Sequence, residues 1–239
     1  MSEPRILVFL PTFNEKGNLE RLAERLLALA PGLSLLIVDD QSPDGTGEIA
    51  DGLARTHPDR VQVLHRHPPR GRGLAGRDGL RLASQTDFDI VVEMDADLSH
   101  RPQDLPNLLA ALDNADVVLG SRYVPGGGAE GFGARRRLNS RVAGLLSKWV
   151  LGLDYHDPTS GFRVFRRESL ASLPWEQFIS DGPSIVEEIL YALRKRGYRI
   201  VEVPILFVER RVGESKISPG LVLKWIINLL RVRLNRHRL

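Results

Sequence analysis

The order of apolar runs along the chain predicts an α/β fold built on a doubly wound, mostly parallel sheet. Three observations carry this expectation. Short strand-type runs alternate with amphipathic segments of helical period through the first half of the chain. The loops between them are short, which favours parallel pairing through crossover helices. Polar residues collect at the carboxyl ends of the expected strands, where sheets of this class hold their ligands.

The elements follow in order. Arg5–Leu10 is an apolar run closed by Pro11 and reads as the first strand; Leu19–Leu29 reads as an amphipathic helix. Leu33–Val38 is a strand, Thr46–Thr56 a helix and Val61–His65 a strand, after which a Gly/Arg loop leads to a helix near Arg77–Ala83. Ile90–Met94 is a buried strand, Pro102–Leu112 a helix with proline near its first turn, and Asp116–Gly120 a strand. Gly126, Gly127, Gly128, Gly131 and Gly133 then predict a mobile loop that closes over a ligand. Arg135-Arg136-Arg137 opens a helix running to about Leu151, and residues 157–163 form a turn leading into a short strand. Gly182–Arg196 reads as a helix, Tyr198–Val203 as a strand, residues 210–216 as a polar loop and Pro219–Leu234 as a last helix.

A chain of 239 residues can bury a full core as one domain with a short appendage. The expected division is 1–216 for the α/β body and 217–239 for a basic amphipathic tail. With 42% hydrophobic and 26% charged residues the composition is that of a globular protein. The absence of cysteine excludes disulfides, thiolate metal sites and a cysteine nucleophile, and suits a reducing cytoplasm. The opening residues lack the pattern of a signal peptide, and no apolar window is long enough to span a bilayer. Charge is uneven. Lys224, Arg231, Arg233, Arg236 and Arg238, with no acid, give residues 217–239 a charge of +5, which leaves −2 for the rest against a total of +3. A uniformly basic nucleic-acid-binding domain is therefore not expected.

Asp95-Ala96-Asp97 is the stretch most telling of chemistry. It follows the buried run Ile90–Met94, and carboxylates at a strand exit need a cation or a ligand to face. Oxygen-only ligation suits a hard divalent ion, Mg²⁺ or Mn²⁺, that also holds substrate phosphates. The plainer alternative is Asp97 as the N-cap of the next helix. Pro11-Thr12-Phe13-Asn14-Glu15, Asp39-Asp40 and Ser121-Arg122 occupy the corresponding ends of the first, second and fifth strands. Gly71-Arg72-Gly73-Leu74-Ala75-Gly76 satisfies the dinucleotide pattern G-x-G-x-x-G, yet it stands after the third strand, and Pro68-Pro69-Arg70 separates it from that strand. A nicotinamide cofactor is accordingly not expected. No phosphate-binding G-x-x-x-x-G-K-[ST] loop occurs.

Taken together, Pro11–Glu15, Val38-Asp39-Asp40-Gln41-Ser42-Pro43-Asp44-Gly45-Thr46, Asp95–His100, Gly120-Ser121-Arg122-Tyr123, Thr159–Arg163 and Gly213-Glu214-Ser215-Lys216 resemble one group. The chain is similar from residue 5 to about 216 to the dolichol-phosphate and polyprenol-phosphate mannose synthases, inverting family-two glycosyltransferases of GT-A fold. The resemblance implies transfer of mannose from GDP-mannose to a polyprenyl phosphate. By the same resemblance Pro11, Phe13, Glu15, Val38 and Asp40 line the nucleoside. Asp95, Ala96 and Asp97 bind the donor, with Asp97 the principal metal ligand and Asp95 the second. Arg122, Arg210 and Lys216 meet phosphates. Arg122, Arg136, Ser140 and Arg210 are the candidates for the acceptor phosphate, and Asp95, Asp97, Arg122 and Arg210 form the catalytic set. Some relatives place a glutamine ligand where this chain has Ser99, and many have tyrosine where it has Phe13.

Glu187 and Glu188 stand where related sugar transferases keep a catalytic base. Here they read as structural, because a lipid phosphate is already anionic near neutral pH and needs no base. Three arginines at a helix start oppose the helix dipole and invite an anionic partner. The last helix, apolar with Trp225 and flanked by arginines, suits the membrane interface, with packing on the body as the alternative. The expected location is the cytoplasmic face of a membrane; with no spanning segment of its own, the chain leaves room for a small anchoring subunit. The nearest rivals are a UDP-sugar transferase acting on the same lipid and a non-catalytic nucleotide-sugar-binding subunit of a membrane complex.

Overall fold

The computed structural model describes residues 3–209 and 219–235. Strands β1 (Ile6–Thr12), β2 (Leu33–Asp39), β3 (Val61–His65), β4 (Ile90–Glu93), β5 (Val117–Ser121), β7 (Arg163–Arg166) and β8 (Ile200–Pro204) form a seven-stranded sheet in the order β3-β2-β1-β4-β7-β5-β8. All its pairs are parallel except those of β7, which runs antiparallel between β4 and β5. Two short strands, β6 (Gly128–Glu130) and β9 (Leu206–Val208), pair in parallel outside it.

The helices are α1 (Leu19–Leu27), α2 (Thr46–Thr56), α3 (Arg72–Ser84), α4 (Leu105–Ala111), α5 (Ala134–Leu151), α6 (Arg167–Ala171), α7 (Ile185–Lys195) and α8 (Pro219–Leu234). Period-two alternation along β1 divides the core into two layers. Leu7 and Phe9 join one cluster with residues of α3, α7 and α8. Ile6, Val8 and Leu10 join the other with residues of α1, α2 and α4. The sheet is thus covered on both faces, as a mostly parallel sheet requires. Strand order reverses between β1 and β4, so the loops leaving their carboxyl ends part there and leave a crevice.

Three local expectations change. The helix expected near Arg77–Ala83 begins at Arg72 and takes in most of the G-x-G-x-x-G stretch. The first two glycines of that stretch serve packing: a Cβ on Gly71 would lie 2.9 Å from the carbonyl oxygen of Asp181, and one on Gly73 would lie 2.4 Å from that of Gly182. The glycine stretch expected as a mobile lid contains β6, whose pairing with β9 ties it to the segment after β8. The tail helix spans the residues expected, but it lies against the body: Leu229 and Val232 are fully buried and Asn228 nearly so.

Candidate active site

The floor of the crevice is built before any ligand arrives. The loop after β1 is stitched to the loop after β2 by three backbone N–H groups: Asn14 donates to Ser42 Oγ at 3.0 Å, Glu15 to Thr46 Oγ1 at 2.8 Å and Lys16 to Asp44 Oδ2 at 3.1 Å. Asn14, Gln41 and Leu98 have φ of +59°, +60° and +61°. All three follow the carboxyl ends of β1, β2 or β4 within five residues. Left-handed backbone at non-glycine residues is costly and collects where a site needs it.

Asp95 and Asp97 leave β4 at this point. Asp95 pairs with Arg72, the first residue of α3, and its backbone N–H donates to His100 Nδ1 at 3.2 Å. That bond makes Nδ1 of His100 an acceptor. Burial also pushes the imidazole pKa down, against the opposing charges of Asp95 and Asp97, so the ring is neutral. It stacks on Phe162 with centroids 5.2 Å apart. Asp97 Oδ1 accepts the backbone N–H of Ser99 at 3.0 Å and its hydroxyl at 2.5 Å, so Ser99 orients the carboxylate. Beneath lies Glu93, buried, with Oε2 unpartnered among the described residues. Burial pushes its carboxyl up, while the charges of Arg163 and Arg72 oppose that shift. Arg163, wholly buried, donates to the carbonyls of Ser160, Val186 and Pro158 at 2.7, 2.6 and 3.1 Å, which sets the 158–163 turn.

The two aspartates fit a hard divalent ion. Their donors are all oxygen, and such an ion takes one or two carboxylates and completes its shell with substrate phosphates and water. Gly161 leaves the space: a Cβ there would stand 3.3 Å from Asp95 Oδ2 and 3.2 Å from Arg72 Nη2. Among the described residues no group of three His, Cys, Asp or Glu forms a protein-only cage.

On the β1–β2 side, Phe13 is exposed, with the Arg70 guanidinium carbon 5.5 Å from its ring centroid. Pro11 is half-buried opposite Val38, whose side chain lies in the core. Glu15 Oε2 accepts from Asn18 at 2.8 Å. Asp40 is committed within the fold: it pairs with the buried Arg66 and accepts the Gly71 N–H at 2.8 Å, tethering the loop before α3. Its neighbour Asp39 has the open atom. Asp39 Oδ1 and Gln41 Nε2 are both buried without a hydrogen-bond partner among the described residues. An acceptor and a donor left so require a partner.

Across the crevice Arg122 leaves β5 and meets Asp157. The carboxylate accepts from its backbone N, Nε and Nη2 at 3.0, 2.7 and 2.7 Å. Glu202 on β8 accepts the backbone N–H groups of His156 and Asp157, each at 2.8 Å, and so holds Asp157 in place. Arg136 pairs with Glu209 and lies 4.2 Å from the Phe132 ring centroid. Arg137 donates to the Ala129 carbonyl at 3.1 Å, so the fold supplies partners for two of the three helix-opening arginines. Ser140 is half-buried, one turn beyond Arg136. Arg210 and Lys216 lie outside the described residues.

Glu187 and Glu188 face inward. Glu187 Oε1 accepts from Ser147 Oγ of α5 at 3.3 Å and Trp225 Nε1 of α8 at 2.9 Å, and burial pushes its carboxyl up to about 7. Glu188 accepts the N–H groups of Ile179 and Ser180 at 3.0 and 2.9 Å. Each α5 and α8 presents an exposed apolar row with spacing four, three, four: Leu138, Val142, Leu145 and Trp149 on α5, and Leu223, Ile227, Leu230 and Leu234 on α8. Trp149 is 90% exposed. Neither helix contains an acidic residue. Among the described residues no helix is long and apolar enough to cross a membrane.

Sequence reasoning missed Arg72, His100, Asp157 and Glu202 as parts of this site. Arg72 and His100 stood inside stretches already singled out. Asp157 opened the turn expected over 157–163, and Glu202 carried no local signal, since the roles of both are set by pairings distant in sequence.

Comparison with known proteins follows the same line. Residues 7–173 match the family described as Glycosyl transferase family 2. The chain is 40% identical over 239 residues to the polyprenol monophosphomannose synthase of Mycolicibacterium smegmatis, covering 98% of this chain and 90% of that one. It is 41% identical over 227 residues to the undecaprenyl-phosphate mannosyltransferase of Micrococcus luteus, covering 95% and 93%. Among solved structures, glucosyl-3-phosphoglycerate synthase from Mycobacterium tuberculosis, in complex with Mn²⁺, uridine diphosphate and phosphoglyceric acid, superposes with a TM-score of 0.72 at 25% identity. That match covers 97% of this chain and 79% of that one.

Proposed function

Because the chain belongs to glycosyl transferase family 2, we propose that it moves mannose from GDP-mannose to a polyprenyl phosphate, with inversion at the sugar. The observation that carries this reading is the likeness, over nearly the full length of both chains, to a polyprenol monophosphomannose synthase and an undecaprenyl-phosphate mannosyltransferase. The crevice supports it, since it sets two carboxylates and the guanidinium of Arg72 at the point where the sheet's strand order reverses.

In this reading the nucleobase lies against Phe13 beneath Arg70, and Asp39 Oδ1 and Gln41 Nε2 face its polar edge. Asp95 and Asp97 hold Mg²⁺ or Mn²⁺. When bound, such an ion supplies positive charge where the departing diphosphate gathers negative charge. Arg72 keeps Asp95 in place beside the diphosphate, and Ser99 does the same for Asp97. A phosphate oxygen of the lipid attacks the anomeric carbon as the bond to the nucleoside diphosphate breaks, with no proton to remove. Arg122 and Arg136 lower the repulsion between the two anions at the acceptor side. The exposed rows of α5 and α8 lie in the bilayer interface, with Arg137, Arg141 and Arg231 near anionic headgroups.

The test is a panel of GDP-mannose and UDP-sugars with polyprenyl phosphate and Mg²⁺ or Mn²⁺. Polyprenyl-phosphate mannose is expected from GDP-mannose. Transfer from a UDP-sugar alone overturns the donor assignment, and nucleotide binding with no transfer in single-turnover conditions overturns the enzymatic one.

A further inference from the structure

Strand order keeps the two walls of the crevice apart. β4 and β5 are not neighbours, because β7 lies between them. The carboxylate loop after β4 and the Arg122 that follows β5 are therefore separated by two strand spacings, about 10 Å. A displacement between two bound anions needs that separation fixed, since a misplacement of about 1 Å can cost about a hundredfold in rate.

Phe207 of β9 stands in the gap. Its ring centroid lies 5.3 Å from that of His100, with the planes 80° apart, and 5.5 Å from the Arg122 guanidinium carbon. Each of these neighbours is locked by other partners. His100 accepts the Asp95 N–H and stacks on Phe162. Arg122 is forked on Asp157. A flat, stiff ring between two immobile groups sets how far apart they stand, whereas an aliphatic chain with more rotamers does not.

The ring is itself held in place. Phe132 meets it edge-on, with centroids 5.3 Å apart. The Leu206 N–H donates to Asp104 Oδ2 at 3.1 Å and the Val208 N–H to the Ser99 carbonyl at 2.9 Å, so the residues flanking Phe207 are fastened to the β4 wall. The Glu209 N–H donates to the Glu130 carbonyl at 2.9 Å, and its carboxylate pairs with Arg136, which fastens the same segment to the opposite wall.

We infer that Phe207 is a positioning residue whose ring fixes the separation between the carboxylate loop and Arg122, and with it the approach of the incoming phosphate to the donor. The inference rests on the reading of the chain as a transferase between two phosphate-bearing ligands and adds the side chain that spaces them.

The experiment compares Phe207→Leu and Phe207→Tyr with wild type, as full chains, using GDP-mannose and polyprenyl phosphate. In Phe207→Leu kcat is expected to fall about tenfold or more, while the affinity for GDP with Mn²⁺ stays within about twofold. Phe207→Tyr keeps the ring and should restore kcat. The gap is read directly as well. The chain has no cysteine, so spin labels can be placed at Gln103→Cys and Pro125→Cys, exposed positions on the two walls. Their distance distribution is expected to broaden at least about twofold in Phe207→Leu and to narrow again in Phe207→Tyr. Unchanged kcat, a parallel loss of kcat and GDP affinity, an unbroadened distribution, or a tyrosine variant no better than leucine each overturns the inference. Should circular dichroism show Phe207→Leu unfolded, Phe207→Met is read by the same outcomes. Wild type that transfers no mannose refutes the transferase reading, and the distance distributions then decide the role of Phe207 alone. Wild type that transfers mannose beside a leucine variant of equal kcat refutes the role of Phe207 and leaves the transferase reading standing.

Discussion

Asp157 holds Arg122 by its backbone and by two nitrogens on one edge of its guanidinium, and both side chains are nearly sealed from solvent, at 0% and 11% exposure. A bidentate ion pair in that setting costs most when half of it is removed, because the remaining charge is stranded. Asp157→Ala is expected to lower unfolding free energy by about 3–5 kcal/mol, read from urea denaturation. Arg122→Lys keeps the charge but cannot make the fork. It should fold and lose at least about tenfold in kcat/KM; a lysine variant with wild-type kinetics would show that this arginine plays no part in transfer.

Asp97→Ala should abolish divalent-dependent turnover and leave the circular dichroism spectrum and Tm unchanged. Ser99→Ala removes the hydroxyl hydrogen bond that orients Asp97 and leaves the one from the backbone N–H of residue 99. Its expected signature is a raised concentration of Mn²⁺ for half-maximal rate, with the same maximal rate once the ion is saturating. Normal activity in Asp97→Ala would remove the metal assignment.

Glu187 gives the chain a pH signature. Burial raises its carboxyl from 4.5 to about 7 in the folded state. Between those values the folded chain holds a proton that the unfolded chain has released. This contribution to stability is fully present below pH 4.5 and is lost as pH rises through 7, by up to about 3 kcal/mol. Glu187→Gln keeps acceptors for Ser147 and Trp225 without the charge. Calorimetry should find its Tm above wild type at pH 8 and near wild type at pH 4.5; parallel curves at all pH values would contradict the burial argument.

Trp149→Glu with Leu230→Glu introduces charge into the exposed rows of α5 and α8. Sedimentation with anionic vesicles should show at least about tenfold weaker partitioning at unchanged Tm. Deleting 217–239 is expected to act differently, because Leu229, Val232 and the Trp225–Glu187 bond go with it. That truncation lowers Tm as well as vesicle binding.

Gly73→Ala separates packing from cofactor binding in the G-x-G-x-x-G stretch. With a Cβ 2.4 Å from the Gly182 carbonyl oxygen, the alanine should cost about 1–3 kcal/mol in urea unfolding. Unaltered stability would mean that the 181–182 backbone yields at little cost.

The strands were legible because a parallel sheet covered on both faces demands near-continuous apolar runs, and β1, β2 and β4 have them. The carboxylates were legible because they interrupt such a run at its exit. The partners were not. Asp157 lies 35 positions from Arg122, and Arg66 lies 26 from Asp40, distances at which no helical or strand period relates two residues. The resemblance named Asp40 for the nucleoside; in the fold Arg66 and Gly71 hold its carboxylate, and its neighbour Asp39 retains an unpartnered oxygen among the described residues. The amphipathic pattern of α8 was plain, but a helix with one face on the body and another outward has the same composition as one lying wholly on a membrane.

Leu98 sits at φ +61° between Asp97 and Ser99, a conformation that costs a leucine about 1–2 kcal/mol. Glycine would adopt it freely. Stability and function then pull in opposite directions at this one position: a Leu98→Gly chain is relieved of torsional tension yet gains freedom in the turn that aims Asp97. Selection for heat resistance alone would erode the geometry that selection for turnover preserves.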